Sequence, residues 1–127
     1  QQGATIAVLG SGLDNASLYP RTNYQLAQAI LNNNGLLLSE HPTGTHPQPW
    51  HFPQRNRIIS GLSLAVLVIE AALPSGSLIT AKHALEQGRE VLAIPGSLQQ
   101  PTAAGTNYLI QQGAVLITSA QDIIDHL

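Results

Sequence analysis

Five short apolar runs, Thr5–Leu9, Leu36–Leu38, Leu64–Ile69, Val91–Ile94 and Ala114–Ile117, recur along the chain with helix-patterned segments and loops between them. Runs this short are not helices. Their lack of polar alternation argues against strands with one wet face, so they predict strands covered on both sides. Helical spacing fills the intervals: Tyr24, Leu26, Ala27, Ile30 and Leu31 before an Asn34-Gly35 stop, then 55–62, 78–87 closed by Gly88, 105–112 and 120–126. Strand and helix in alternation predict an α/β, doubly wound fold with a mainly parallel sheet of about five strands. Residues 1–127 are expected to form a single domain, since the chain is long enough for one core and too short for two.

Ligands of such folds gather outside the carboxyl ends of the strands. The candidate polar groups fall there: Gly10 to Asp14 after the first strand, Glu40 after the second, Glu70 and Ser75-Gly76-Ser77 after the third, Gly96 after the fourth. The densest group joins an arginine-bearing helix, 52–62, through a strand to the small-residue turn Ser75-Gly-Ser-Leu-Ile-Thr-Ala81, which opens another helix. A guanidinium fork and helix N-terminal amides both suit an anion, and phosphate is the expected one. The plainer reading is that Ser75 or Ser77 only caps a helix and Arg55 lies in solvent. Arg55 and Arg57 diverge by about 200° on a helix, so they cannot both grip one phosphate. Arg55 is expected on the ligand face, sharing a hollow at the sheet rim with the amides around Gly76, and Arg57 beside an acid or a carbonyl. Arg55→Ala is then expected to weaken oligonucleotide binding alike across sequences and leave the fold intact.

Other chemistries fit poorly. Gly10-Ser-Gly-Leu-Asp-Asn15 begins like a dinucleotide fingerprint but has Asn for the third glycine, and no helix follows; a tight turn needing positive φ at Gly10 or Gly12 accounts for both glycines, with Asp14 a polar contact at the strand end. Lys82 lies inside a helix, away from any phosphate loop. His41, His46 and His51 recur at fives in a proline-rich stretch, 41–53, which reads as one long loop with solvent-exposed histidines; the spacing is not that of zinc ligands, and no metal is expected. No Gly-x-Ser-x-Gly frames a serine, so no catalytic residue is assigned, and no cofactor.

Charged residues make up 9% of the chain, the net charge is −2, and the five cations are Arg21, Arg55, Arg57, Lys82 and Arg89. No general basic field holds a polyanion here; a few focused donors must. Aromatics are scarce, so base stacking is expected only at Trp50 and Phe52, with Phe52 alternatively in the core. Cysteine is absent, which rules out disulfides and thiolate metal sites. The longest apolar stretch, 62–73, is interrupted by Ser63 and Glu70 and is too short for a membrane span. No membrane insertion is expected, and without an apolar leader the expected compartment is the cytoplasm.

Taken in order, Thr5-Ile-Ala-Val-Leu-Gly-Ser-Gly-Leu-Asp14 with Tyr19-Pro20, Leu37-Leu-Ser-Glu40, Phe52-Pro-Gln-Arg-Asn-Arg-Ile-Ile-Ser-Gly-Leu-Ser63, Glu70-Ala71, Ser75-Gly-Ser-Leu-Ile-Thr-Ala81, Gly88-Arg89, Ala93-Ile-Pro-Gly96 and Gly105-Thr-Asn-Tyr-Leu-Ile110 resemble the DprA/Smf family, the DNA-processing proteins of natural transformation. The resemblance covers nearly the whole chain. It implies a Rossmann-like domain that binds single-stranded DNA, protects it and helps load RecA recombinase, as a homodimer. Residue by residue it implies a phosphate pocket at Arg55, Asn56, Ser75, Gly76, Ser77 and Thr80, with Gly10, Gly12 and Asp14 along the same edge.

A more distant resemblance, to the lysine-decarboxylase-like phosphoribohydrolases, implies the alternative of a nucleotide-binding enzyme with phosphate on Arg55 and Glu70 as acid/base. Their Pro-Gly-Gly-x-Gly-Thr-x-x-Glu pattern is replaced here by Ser75 to Lys82, without the glutamate. DprA proteins also carry a strand-helix-strand unit with a Gly-Ser-Arg turn ahead of the strand that opens this chain. That unit does not appear in the sequence, so the resemblance implies a partial domain with an open sheet edge, and a dimer or a domain-swapped assembly is expected to cover that edge.

Overall fold

The structure, a computed structural model, describes residues 3–127. It divides into two compact units, the first ending at Arg55 and the second spanning Asn56–Leu127.

In the first unit, β1 (Ile6–Val8) and β2 (Leu36–Leu38) pair in parallel, Ile6 opposite Leu36 and Val8 opposite Leu38. The connection is α1 (Tyr24–Asn32), which buries Ala27. The helix stops where its spacing predicts, but the left-handed position belongs to Asn34, at φ 58°, and not to Gly35. Crowding fixes Gly35 instead: a Cβ there would lie 2.5 Å from Ile30 Cγ2 and 2.6 Å from the Thr5 carbonyl oxygen.

The division between the units falls inside α2 (His51–Gly61), which begins ahead of the expected Arg55. The expectation of a loop running to Pro53 is therefore corrected. Pro53 sits in the first helical turn, where a missing N–H breaks no bond and the fixed φ is already helical.

The second unit continues with β3 (Ala65–Val68), α3 (Gly76–Glu86), β4 (Glu90–Ala93), α4 (Ala104–Gln111), β5 (Val115–Leu116) and α5 (Ala120–His126). Its three strands are parallel in the order β3-β4-β5, with Val68 opposite Ala93 and Ala93 opposite Leu116. Residues of α3 and α4 share one buried cluster with Val91 and Ala93, so both helices lie on one face of β4, as right-handed crossovers in the same direction require. There Val68, Ala71, Ala81, Ala84, Val91, Ala93 and Leu109 form one buried cluster, and the alanines let helix and strand approach closely.

The α/β class and the parallel pairing hold, with all five strands formed. They hydrogen-bond as sheets of two and three strands rather than as one set. Burial on both faces holds for β4 but not around β3, where Leu64 and Ile69 are 74% and 62% exposed. The difference is positional: β4 has a strand on either side, and β3 is an edge.

The chain ends on a capping box. Ser119 Oγ accepts from the Asp122 N–H, while Asp122 Oδ2 accepts from the Thr118 and Ser119 N–H groups at 2.7 and 2.9 Å. These bonds, that from the Thr118 N–H first, lower the Asp122 carboxyl from 3.8 to about 2. A depressed carboxyl stabilises the fold above its unfolded pKa, and the contribution is lost as pH falls through about 2. The amide resonances of Thr118 and Ser119 are accordingly expected to titrate near pH 2, and Asp122→Asn to abolish the step; titration near 3.8 instead would mean that the box does not form.

Candidate nucleic-acid interface

In the first unit, Gly10, Gly12, Phe52 and Arg55 gather where β1 ends. Gly10 and Gly12 are both buried, and neither has positive φ, a conformation taken among glycines by Gly44, Gly88 and Gly113. The expected φ requirement is thus corrected to one of close approach. A Cβ on Gly10 would stand 3.2 Å from the Phe52 ring, and one on Gly12 2.7 Å from Asp14 Oδ1 and 2.8 Å from the Pro42 carbonyl oxygen. The Gly12 N–H donates to the Thr45 carbonyl at 2.9 Å, so this amide serves the loop.

Asp14 clamps the same loop. Its Oδ1 accepts from the Gly44 N–H at 2.7 Å and its Oδ2 from the Ser17 N–H and hydroxyl at 3.1 and 2.8 Å. Those bonds, the one from Gly44 first, hold its carboxyl below the usual range. The histidines also depart from expectation: His41 and His51 are half-buried, stacked with centroids 4.1 Å apart, and His51 Nδ1 lies 2.9 Å from the Gly10 carbonyl oxygen. Only His46 of the three is exposed. Among the described residues no three His, Asp or Glu side chains converge as a metal site.

Arg55 is half-buried, and its Nη1 donates to the Val8 carbonyl at the end of β1. Its guanidinium carbon sits 5.7 Å from the Phe52 centroid, and burial lowers its pKa. Arg55 thus holds a main-chain carbonyl, and Arg57 is the more exposed of the two. Arg55 therefore has a structural bond besides any role on the ligand face, and Arg55→Ala is expected to cost stability as well as affinity. Phe52, packed on Gly10 and tilted against Tyr19 at 6.0 Å, belongs to the packing. Trp50, 58% exposed with His51 at its edge, is the ring that faces solvent.

Nearby in sequence, a groove of about 340 Å³ is lined by Asn15, Leu18, Arg21 and Tyr24. It places one exposed cation beside one exposed ring in the segment that follows β1. In the sequence Arg21 stands out only as a charge, and its i, i+3 spacing to Tyr24 at the start of α1 is the signal for this groove.

In the second unit, Ser75 caps α3, its Oγ accepting from the Ser77 N–H at 3.2 Å. Gly76, Ser77 and Thr80 lie on the first turn and a half of that helix. Gly76 has no positive φ, and a Cβ there would meet nothing within 4 Å, so the fold does not itself require glycine. Asn56, on α2, is half-buried and its carbonyl accepts from Ser60 Oγ at 3.2 Å. Glu70, just past β3, is exposed. The sheet end is built by bonds the sequence did not disclose: the Ala71 N–H donates to the Thr102 carbonyl and the Gly105 N–H to the Ala71 carbonyl, both at 2.7 Å. Gly105 is forced by that contact, since a Cβ would lie 2.6 Å from the Ala71 oxygen.

Known proteins share this arrangement. The chain is 52% identical over 125 residues to Protein Smf of Escherichia coli strain K12, and 56% identical over 126 residues to DNA processing protein DprA of Bacillus subtilis strain 168. These alignments cover 98% and 99% of this chain but only 33% and 41% of the relatives, so the chain spans well under half their length. The X-ray structure of DprA from Streptococcus pneumoniae matches with a TM-score of 0.86 at 46% identity, over 97% of this chain and 42% of that one. DNA processing protein A from Helicobacter pylori, whose structure is described for its unique single-stranded DNA binding mode, matches with a TM-score of 0.85 at 32% identity, over 96% and 55%. The matching family and relatives are described by DNA processing and recombination mediation. With its family model matching residues 1–127 throughout, the chain belongs to the DNA recombination-mediator protein A family.

Proposed function

We propose that this chain is a single-stranded DNA-binding element that serves DNA uptake and recombination, protecting incoming strands and helping to load RecA recombinase. One observation carries the reading: the Helicobacter pylori protein described for its single-stranded DNA binding mode matches 96% of this chain. In the first unit the phosphate donors are Arg55 and Arg21, with Trp50 as the stacking ring. In the second they are Asn56, Ser75, Gly76, Ser77 and Thr80 at the opening of α3. Gly10 and Gly12 act indirectly, by letting the loop after β1 pack closely. Donors of this kind read the backbone and not the sequence.

Gly76→Ala separates binding from folding. With open space around the position, the substitution is expected to leave stability unchanged or raise it by up to about 1 kcal/mol, through lower chain entropy and better helix propensity. Oligonucleotide affinity is expected to fall, because a phosphate drawn to the helix start must approach the Gly76 backbone closely. The reading is tested by competing an unlabelled oligonucleotide and a nucleoside monophosphate against a fluorescent oligothymidylate. Displacement by the oligonucleotide alone is expected; equal displacement by the monophosphate would contradict it.

The chain acts in the cytoplasm, as a homodimer, in this proposal. No helix among the described residues is long and apolar enough to cross a membrane. Leu85, Tyr108 and Leu116 are each large, apolar and exposed in the second unit, and in this proposal they meet a second copy. Sedimentation equilibrium checks this: Leu85→Asp is expected to shift the mass toward the monomer, and a wild-type monomer at high concentration would refute the dimer. The RecA role is checked by the rate of RecA filament growth on single strands, which the chain is expected to raise.

A further inference from the structure

The turn after β4 holds one large apolar side chain away from the rest of the protein: Leu98 is 94% exposed. Its turn is firmly moored. At one foot the Gly96 N–H donates to Asn107 Oδ1 at 3.1 Å, and Asn107 Nδ2 donates to the Gly96 carbonyl at 2.9 Å. The Gln100 N–H closes the turn on the Ser97 carbonyl at 3.0 Å, and the Ala71 N–H holds the Thr102 carbonyl at the other foot. A Cβ on Gly96 would lie 2.5 Å from Ala103 Cβ, so the base of the turn has no slack. A leucine at the tip of a fixed turn gains nothing from the fold by standing in water.

The chemistry around it is specific. Residues 95–112 include no charged side chain, so this turn adds no ionic contact to phosphate. It offers an apolar tip followed by the exposed amides of Gln99 and Gln100. An apolar face for a ring, with amide donors and acceptors beside it, suits an unstacked nucleobase. The core of a protein interface needs a wider apolar surround, and here the turn neighbours of Leu98 are Ser97, Gln99, Gln100 and Pro101. The turn follows the carboxyl end of β4 and the opening of α3 follows that of β3, so both lie at the same end of one parallel sheet.

We propose that Leu98 packs against a base of the single strand whose phosphates rest at the start of α3, with the Gln99 and Gln100 amides at that base's edge. This assignment rests on the single-stranded DNA reading. The test compares an oligothymidylate with an abasic oligomer of equal length, by fluorescence anisotropy on this chain. Wild type is expected to prefer the oligothymidylate. Leu98→Ser should weaken that binding on the order of fivefold, with abasic binding and salt dependence unchanged, while Leu98→Met retains the preference. If Leu98→Ser leaves the ratio unchanged, or weakens both ligands equally, the inference is overturned and the single-strand reading stands. An unchanged ratio with altered self-association would reassign the tip to a protein contact. Failure of wild type to bind either oligomer would remove both.

Discussion

Leu92→Ala is expected to destabilise the chain by about 2–5 kcal/mol, read as a shift in the urea midpoint with an unchanged slope. Leu92 is 1% exposed on the central strand of the three-stranded sheet, and its partners on β3 and β5 are held in register on either side. The cavity left by the three missing side-chain carbons cannot close, because β4 is bonded along both edges. Domains are stable by only about 5–15 kcal/mol, so this loss is a large share of the total. A cost below about 1 kcal/mol would mean that β4 is not the packed centre of the second unit.

Arg55→Ala is expected to act twice. It leaves the carbonyl of buried Val8 without its Nη1 donor, which costs about 1–3 kcal/mol, and removes the cation beside the Phe52 ring, worth about 0.5–1 kcal/mol more. Oligonucleotide affinity should also fall, on the order of tenfold at low salt, if a charge-assisted phosphate contact is lost. Arg55→Lys keeps the charge but not the planar fork, and is expected to recover affinity only in part. Circular dichroism at the binding temperature separates the two effects. A folded Arg55→Ala protein with wild-type affinity would leave Arg55 as a structural residue only.

Those two residues also mark what the sequence discloses. The uniform apolar run around Leu92 identifies a buried strand, though not its central place, and helical spacing with stop signals places α1, α3, α4 and α5 to within a residue or two. The start of α2 was missed because Pro53 reads as a helix breaker, although in a first turn it is a helix starter. Glycine is ambiguous in a similar way. Gly10 and Gly12 announce that no side chain fits, but not whether φ or a neighbour forbids it, and the neighbours Phe52, Asp14 and Pro42 come from distant segments. The spacing of Arg55 and Arg57 shows that they diverge without showing which turns toward β1. The Asn107 bonds to Gly96 and the Ala71 bond to Thr102 join residues well separated in sequence, with no local pattern to signal them.

Oligothymidylate affinity measured across a range of salt concentrations tests the central claim most directly. The logarithm of the association constant is expected to fall linearly with the logarithm of salt, with a slope of about −0.7 per phosphate contact, and Arg21→Ala or Arg55→Ala should make it shallower. Absence of binding at low salt, or binding that salt leaves unchanged, would contradict the assignment of this chain as a single-stranded DNA-binding element.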